Sequence, residues 1–169
     1  MAFDLYSIVI YPIIYIFPAY AANGAPVLFG RESLPLDFKR TFRGKRVFGD
    51  NKTIRGTAGG IIMGLLAGSV EAMIFGMPYL IPISLMLSVG AMFGDLLGSF
   101  IKRQMGIKSG SGVPILDQYG FFVSALVFAF WLGNVPNVYG LAFLVVLTGL
   151  LHVLTNRGAH RLRLKKVPW

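Results

Sequence analysis

The stretch Gly94–Gln118, GDLLGSFIKRQMGIKSGSGVPILDQ, joins one apolar segment to the next through a short basic linker. It contains one of three blocks that together hold all 16 lysines and arginines: Asn23 to Arg55 holds eight, Lys102–Lys108 three and Arg157–Lys166 five. Five apolar segments separate these blocks. Because positive residues concentrate in cytoplasmic loops, the alternation predicts five membrane spans, with both basic loops and the C-terminus in the cytoplasm and the N-terminus outside.

The composition also indicates a membrane protein. The chain is 55% hydrophobic and 14% charged, whereas about a quarter of residues are charged in soluble domains. Each predicted span approaches the length of about 17–25 residues that crosses a bilayer. The predicted spans are roughly Leu5–Ala22, Thr57–Met77, Tyr79–Ile101, Gln118–Leu132 and Val138–Leu154. We expect an all-α integral membrane protein of the cell membrane, with a single domain over residues 1–169 and cytoplasmic loops at about 23–55 and 102–117.

The net charge of +9 raises the question of which anion the chain meets. Every basic block is tethered beside a bilayer and no nucleic-acid-binding motif accompanies it, so we expect no nucleic acid partner. Phosphates are the favoured partners, and much of the positive charge is explained by orientation and by contact with acidic head groups. The absence of cysteine excludes a disulfide framework and a thiolate metal site.

Asp95 is the acidic residue that most strongly suggests function, because it lies inside the third span, where a carboxylate costs about 3 kcal/mol unless it is partnered. Helical spacing places Asp95, Ser99, Lys102 and Arg103 on one stripe. Asp117 lies next to the start of the fourth span, at the same membrane boundary. Two carboxylates and substrate phosphates form the ligand set that Mg²⁺ prefers, so we predict that both bind Mg²⁺. The alternative is structural: Asp117 caps a helix and Asp95 pairs with Lys102.

The end of the first loop, Gly49–Gly56, combines flexible backbone with polar and basic side chains just before the second span. The following helix would present unpaired amide groups there, so the segment is a candidate phosphate cradle, although it lacks the spacing of the nucleotide-binding P-loop. A turn followed by a charged helix start is the alternative. The residues in question are Asp50, Asn51, Lys52, Thr53, Arg55 and Gly56.

Glycines recur at every fourth position of the second and third spans, forming the small ridges that let membrane helices approach closely. The ridges consist of Gly56, Gly60, Gly64 and Gly68, and of Gly90, Gly94 and Gly98. They could pair within one chain or across a homodimer. The two histidines, His152 and His160, have no metal-ligand spacing around them and are interpreted as structural.

These features resemble the archaeal CDP-archaeol synthases, relatives of the bacterial CDP-diacylglycerol synthases. The resembling segments are Asn23–Val27, Gly49–Gly56, Gly94–Lys108 and Pro114–Gln118. The resemblance implies transfer of CMP from CTP to the phosphate of an unsaturated archaetidic acid in the bilayer, with release of pyrophosphate and with Mg²⁺ as cofactor. It implies catalytic roles for Asp95, Asp117, Lys102 and Arg103, the two aspartates as metal ligands, and CTP binding by Asn23, Asp50, Asn51, Lys52, Thr53, Arg55, Gly56, Ser99 and Gln118.

The chain departs from the family at Gly120, two positions after Gln118, where the family usually has an acidic or amide residue. This shifts the expected partner of Asp117 to Asp95. Another CTP-dependent lipid enzyme is the main alternative. A small transporter would more often show internal repeats and midplane polar residues, and a scaffold would not explain Asp95, Ser99 and Asp117 at one depth.

Overall fold

The structure is a computed structural model that describes residues 4–30 and 32–163. Among these residues, five helical segments are long and apolar enough to cross a membrane: Tyr6–Phe29, Ile54–Phe75, Leu80–Gln104, Pro114–Leu132 and Val138–Arg161. The prediction of a mostly helical protein with five candidate spans is confirmed. Arg31 and Lys165–Lys166, which belong to the basic blocks, lie outside the described residues.

The elements are numbered in chain order. The first span contains a π-helical turn, Tyr6–Ile10, followed by α1 (Tyr11–Gly24) and α2 (Pro26–Phe29). The remaining helices are α3 (Ile54–Phe75), α4 (Leu80–Gln104), α5 (Pro114–Ala129) with a 3₁₀ turn at Phe130–Leu132, and α6 (Val138–Arg161). The first loop also contains a small antiparallel hairpin that the all-α prediction did not include, formed by β1 (Thr41–Phe42) and β2 (Lys45–Arg46).

The first span is longer than predicted, because Asn23–Val27 is helical. Ala25 has helical dihedral angles, φ −59° and ψ −35°, and joins α1 directly to α2. Pro26 occupies the first position of α2, where its ring fixes φ in the helical range and its missing N–H costs no hydrogen bond. The span therefore continues to Phe29.

The fourth span begins earlier than predicted, at Pro114 rather than Gln118. Val113 is extended, with φ −123° and ψ 99°, as expected of a residue before proline, and Pro114 starts the helix. This boundary places Asp117 in the first turn of α5.

The last span extends past the predicted end at Leu154 to Arg161. His160 and Arg161 lie in its final turn, where positive charge complements the partial negative charge of a helix C-terminus. The extension makes the region around Arg157 a helical face rather than a loose tail.

The glycine ridge of α3 packs within the chain. A Cβ atom at Gly64 or Gly68 would overlap the hydroxyl of Ser88 or Ser84 on α4. Both glycines also face Pro18 of α1. The ridge thus joins three helices of one chain, and it requires no second copy.

The helices α4 and α5 approach each other equally closely. A Cβ at Gly94 would overlap the carbonyl oxygen of Gly120, and a Cβ at Gly98 would lie 3.4 Å from Leu116 Cγ. Gly120, the position at which the chain departs from the family pattern, therefore lies at a backbone crossing. This crossing brings together the two helices that carry the candidate carboxylates.

Contacts gather the loops at two opposite poles. Lys45 Nζ in the first loop donates to Gln104 O at the end of α4, at 2.5 Å. At the opposite pole, Asn137 Nδ2 donates to Ser7 O at 3.3 Å. We call the first end the basic pole and define it as residues 32–53, 95–118 and 157–163.

The core lies where four spans meet, and its fully buried members include Tyr15, Ile16, Leu87, Phe121 and Leu144. The outer helix faces carry many exposed large apolar side chains. Such faces suit a bilayer, in which the surrounding solvent is hydrocarbon.

Candidate active site

Two lysine–aspartate ion pairs lie at the basic pole. Lys52 Nζ is 2.5 Å from Asp95 Oδ2, and Lys102 Nζ is 2.6 Å from Asp117 Oδ1. The first pair ties the first loop to α4, and the second ties α4 to α5. Asp95 therefore pairs with Lys52, not with Lys102 as the structural alternative proposed. The carboxylate side chains are 28% and 26% exposed, so both are accessible to a ligand.

Asp117 also has a capping role. Its Oδ2 accepts a hydrogen bond from Val113 N at 2.8 Å, while Oδ1 faces Lys102. A carboxylate in the first turn is favourable because the helix N-terminus carries partial positive charge. Asp117 is nevertheless not the N-cap, as the structural alternative proposed: Val113 holds that position, and Asp117 reaches back to it from the first turn while its other carboxylate oxygen faces the lysine.

The backbone around Lys52 is held by the start of α3. Thr53 is the N-cap: its hydroxyl accepts from Gly56 N at 3.1 Å and donates to Gly30 O at 3.2 Å. Lys52 O accepts from Leu36 N at 2.7 Å. The Thr53 hydroxyl is thus used in hydrogen bonds to the backbone, and Thr53 and Gly56 have a positioning role for the lysine.

Asp37 organises the rest of the first loop, although no pattern in the sequence singles it out. Its side chain is only 1% exposed and pairs with Arg46 Nη2 at 2.8 Å. It also accepts backbone hydrogen bonds from Phe48 N at 3.0 Å and Gly49 N at 3.1 Å, and from Lys39 N at 3.0 Å. One carboxylate therefore fixes the chain that leads to Lys52.

Burial alone would raise the pKa of Asp37, but the hydrogen bonds from Arg46 and from three backbone N–H groups outweigh burial and hold that pKa well below its usual range. The hydrogen bonds that Arg46 donates to Asp37 and to Asp50 raise the pKa of Arg46. Sequence reasoning missed Asp37 because its partners lie two to twelve residues away in an irregular loop, where no periodicity links them.

Arg103 is a buried cation inside the site. Its Nη2 donates to Lys108 O at 3.0 Å, and a Cβ at Gly49 would lie 3.3 Å from its Nη1. The Nε atom is buried and has no hydrogen-bond partner among the described residues. A buried donor without a partner is costly, so this group is a candidate for contact with a ligand oxygen.

The remaining predicted residues occupy different surroundings. Asp50 is exposed and pairs with Arg46 at 2.8 Å, and Ser99 is buried on α4 between the two ion pairs. Asn51 is exposed beside Gly110. The backbone N–H of Arg55 donates to Ser33 Oγ at 3.3 Å while its side chain is exposed. Asn23 is half-buried near the end of α1, and Gln118 follows Asp117 on α5.

A cavity of about 430 Å³ opens on the other side of Asp117, between α5 and α6. It is lined by Gly112, Pro114, Asp117, Gln118, His152, Val153, Asn156 and Arg157. The fold thus brings His152 to the same cavity as Asp117, and its interpretation as a structural residue stays a prediction. The sequence held no signal for this meeting, since the two residues are 35 positions apart and only the packing of α5 against α6 brings them together.

An apolar groove of similar volume, about 430 Å³, runs along α4 and α5. Its lining begins at Leu116, next to Asp117, and continues to Phe93, Val127 and Phe128. The groove thus connects the level of the carboxylates to the bilayer side of the protein.

Among residues 4–30 and 32–163, no group of three or more histidine, cysteine or acidic side chains is arranged to hold a metal ion. Asp95 and Asp117 are carboxylates on adjacent helices, and each is paired with one lysine. This donor set fits a Mg²⁺ ion that completes its ligands with substrate phosphates, which is how proteins usually hold it.

Comparisons with known proteins agree with this arrangement. The CarS-like CDP-archaeol synthase family matches residues 5–169. The CDP-archaeol synthase of Pyrococcus furiosus is 44% identical over 162 residues, covering 92% of this chain and 95% of the relative. The CDP-archaeol synthase of Sulfolobus acidocaldarius is 40% identical over 158 residues, covering 93% and 96%.

A solved structure of an intramembrane enzyme for archaeal membrane lipid biosynthesis is also similar to this chain. It has a TM-score of 0.80 and 36% sequence identity, covering 85% of this chain and 91% of the other. The five spans and the two ion pairs thus occur in a chain that matches one family over nearly its whole length. The chain belongs to the CarS-like CDP-archaeol synthases and is a multi-pass, CTP-dependent cytidylyltransferase that forms CDP-archaeol.

Proposed function

We propose that the Lys52–Asp95 and Lys102–Asp117 pairs form the catalytic centre that transfers CMP from CTP to an unsaturated archaetidic acid, digeranylgeranylglyceryl phosphate. The observation that carries this proposal is the convergence of two partly exposed carboxylates and two ammonium groups, supplied by three different segments, at one pole. A site of this composition is suited to binding phosphates and a divalent cation together.

In this reaction an oxygen of the lipid phosphate attacks the α-phosphorus of CTP. A phosphorus–oxygen bond forms, the bond to the bridging oxygen breaks, and pyrophosphate leaves. Such transfers depend on positioning and charge neutralisation more than on a protein nucleophile. Lys52, Lys102 and Arg103 are suited to neutralise the triphosphate and the departing pyrophosphate.

Asp95 and Asp117 are the residues that would hold Mg²⁺. When bound, the ion would neutralise charge on phosphate oxygens and help to orient them. The two lysines, released from the carboxylates, are long enough to turn toward the phosphates. Mg²⁺ would then offset the charge of the two carboxylates, and the two ammonium groups would offset part of the negative charge of the phosphates.

The CTP-binding surface, in this proposal, surrounds the lysines. The orphaned Nε of Arg103 supports contact with a phosphate oxygen. Thr53 and Gly56 position the loop, and Asp37 with Arg46 holds its preceding segment. The remaining assignments rest on the family pattern and comprise Asn23, Asp50, Asn51, Arg55, Ser99 and Gln118.

The active site lies on the cytoplasmic side in this proposal, and the N-terminus is outside. The support is the charge distribution, since the basic pole collects the basic loops and the basic end of α6. Because the chain has no cysteine, single introduced cysteines test this sidedness cleanly. In intact cells a membrane-impermeant maleimide should label Val138→Cys and spare Ser111→Cys; the reverse pattern would invert the topology.

The lipid would enter sideways from the bilayer, with its phosphate at the depth of the two carboxylates. A homodimer is not required for this chemistry, because all the assigned residues come from one chain and its α3 glycine ridge is used internally. A short-chain, water-soluble phosphate that reacted as well as the lipid would contradict this sideways entry.

The direct test of the carboxylates follows CTP-dependent formation of CDP-lipid and release of pyrophosphate in detergent, with and without Mg²⁺. Asp95→Asn and Asp117→Asn should each lower kcat/KM by about a thousand-fold, as expected when a transition-state charge contact is removed. Asp4→Asn, the same change at the opposite pole, is the matched control and should retain activity. Unchanged turnover in folded Asp95→Asn or Asp117→Asn would remove that residue from the mechanism.

A further inference from the structure

The cavity between α5 and α6 adds side chains of α6 that the proposed CTP site does not include. Its α6 wall consists of His152, Val153, Asn156 and Arg157, which spacing places on one helix face. Its α5 wall is the first turn of that helix, including Asp117. One carboxylate therefore belongs both to the ion pair with Lys102 and to this cavity.

We propose that this cavity binds the phosphate of the lipid acceptor, with Arg157 as its cationic contact. This inference rests on the catalytic centre proposed above and names the second substrate's subsite within it. The guanidinium of Arg157 is exposed and belongs to none of the ion pairs among the described residues. Guanidinium groups present paired donors that match the oxygens of a phosphate.

The N-terminus of α5 adds to the positive potential of the cavity. The helix begins at Pro114, so the partial positive charge of its first turn lies in the cavity wall. The negative charge of Asp117 is balanced by Lys102, which reaches it from α4. The guanidinium of Arg157 and the N-terminus of α5 therefore both contribute positive potential to the cavity, while the charge of Asp117 is offset by Lys102.

The position of the cavity favours the lipid phosphate over the triphosphate of CTP. Lys52 reaches Asp95 on α4, and the buried Arg103 belongs to α4, whereas the cavity lies between α5 and α6. The apolar side chains of Leu150 and Leu154 on α6 are 59% and 62% exposed and face the surroundings as lipid-contacting residues do. A ligand anchored in the bilayer can therefore reach the cavity from the side.

Tyr119 closes the space between the two helices deeper in the membrane. Its hydroxyl donates to Val145 O at 3.3 Å, and a Cβ at Gly149 would lie 2.8 Å from the same hydroxyl. Gly149 precedes Val153 by about one turn, so this contact lies on the membrane side of the cavity. The closure keeps a bound phosphate at the level of Asp117.

The consequence for the reaction is an opposed arrangement of the two substrates. CTP would bind on the α4 side of Asp117 and the lipid phosphate on the α6 side. In-line transfer requires the attacking and leaving oxygens on opposite sides of the phosphorus, and binding from two sides of one carboxylate supplies that arrangement. Arg157 then contributes to acceptor binding, while Lys52 and Lys102 contribute to donor binding.

The test is a comparison of the two substrates' kinetic constants in Arg157→Gln. Because one charge-assisted contact to the lipid phosphate is lost, we expect the KM for the lipid phosphate to rise by about ten-fold or more, while the KM for CTP stays within about three-fold. Arg157→Lys should recover part of the loss because it keeps the charge. Arg161→Gln, one turn further along the same helix face, is the matched control and should leave both constants unchanged.

The outcomes separate this inference from the assignment of the catalytic centre. An unchanged lipid KM in folded Arg157→Gln, an increase confined to CTP, or an equal effect of Arg161→Gln would overturn the acceptor subsite. A lipid-specific increase would support it whatever the metal ligands prove to be. Retained activity in Asp95→Asn and Asp117→Asn would instead overturn the catalytic centre, since those variants leave the α6 wall intact.

Discussion

Replacing Asp37 by asparagine should impair catalysis without unfolding the membrane domain. The carboxylate accepts hydrogen bonds from Arg46 and from three backbone N–H groups, and its side chain is 1% exposed. Asparagine keeps the size but loses the charge and one acceptor oxygen. Arg46 would retain only Asp50, whose side chain is 69% exposed.

The magnitude follows from the burial of the pair. Removing one partner of a buried ion pair costs about 3–5 kcal/mol, and the 26% exposure of the Arg46 side chain places the expected cost near the lower limit, about 3 kcal/mol. In the variant, CTP binding would have to order the loop without this ion pair, so the lost free energy would be taken from kcat/KM for CTP. Because each 1.36 kcal/mol is about a factor of ten, kcat/KM would fall by up to about a hundred-fold. The helical core does not contact Asp37 through these bonds, so the melting temperature should change little.

The assay is the initial rate of CDP-lipid formation at varied CTP and saturating lipid. Glu32→Gln, a carboxylate-to-amide change at an exposed position of the same loop, is the matched control and should behave as the unmodified protein. A folded Asp37→Asn variant whose kcat/KM for CTP lies within about two-fold of the unmodified protein would refute the positioning role, because the predicted loss is far larger.

Three further predictions follow from the packing and the loop. Gly68→Ala should destabilise the helix bundle by about 1–3 kcal/mol through overlap with Ser84, and thermal unfolding should show it, while Gly24→Ala, with nothing within 4 Å, should not. Thr53→Ala should cost about 1 kcal/mol locally by removing the α3 cap, and amide hydrogen exchange at the start of α3 should accelerate. The pKa of Asp37 is lowered in the folded state, so the stability that its carboxylate contributes is complete above the unfolded-state pKa of about 3.9 and is lost as the pH falls below that value. Proteolysis of the first loop should therefore be independent of pH above about 3.9 and should increase at lower pH.

Much of the fold could be predicted because bilayer physics leaves few choices. Apolar length and basic blocks were enough for five spans. The helix ends were less predictable, since proline at the first position of α2 and α5 extends both helices beyond the limits that hydropathy indicates. The hairpin of β1 and β2 was missed, because two-residue strands carry no periodic signal.

The candidate site was likewise predictable from the sequence only in part. Asp95 and Asp117 could be selected from sequence because a carboxylate at a membrane boundary demands a partner, but helical spacing could not predict that Lys52 rather than Lys102 would pair with Asp95. Asp37 was passed over because its role depends on the folded first loop. Arg157 was passed over because its role depends on the packing of α6 against α5. Long-range packing is the part of the site that local patterns do not encode.

Asp95 and Asp117 together are expected to hold the divalent cation that accompanies CTP. Binding of Mn²⁺, as a paramagnetic substitute for Mg²⁺, can be measured on the detergent-solubilised protein with CTP, in the unmodified chain, Asp95→Asn, Asp117→Asn and the control Asp4→Asn. Each site variant should weaken CTP-dependent Mn²⁺ binding by about ten-fold or more, because one ligand's charge is lost, and Asp4→Asn should not. Equal Mn²⁺ affinity in all four proteins would show that the two carboxylates do not hold the ion.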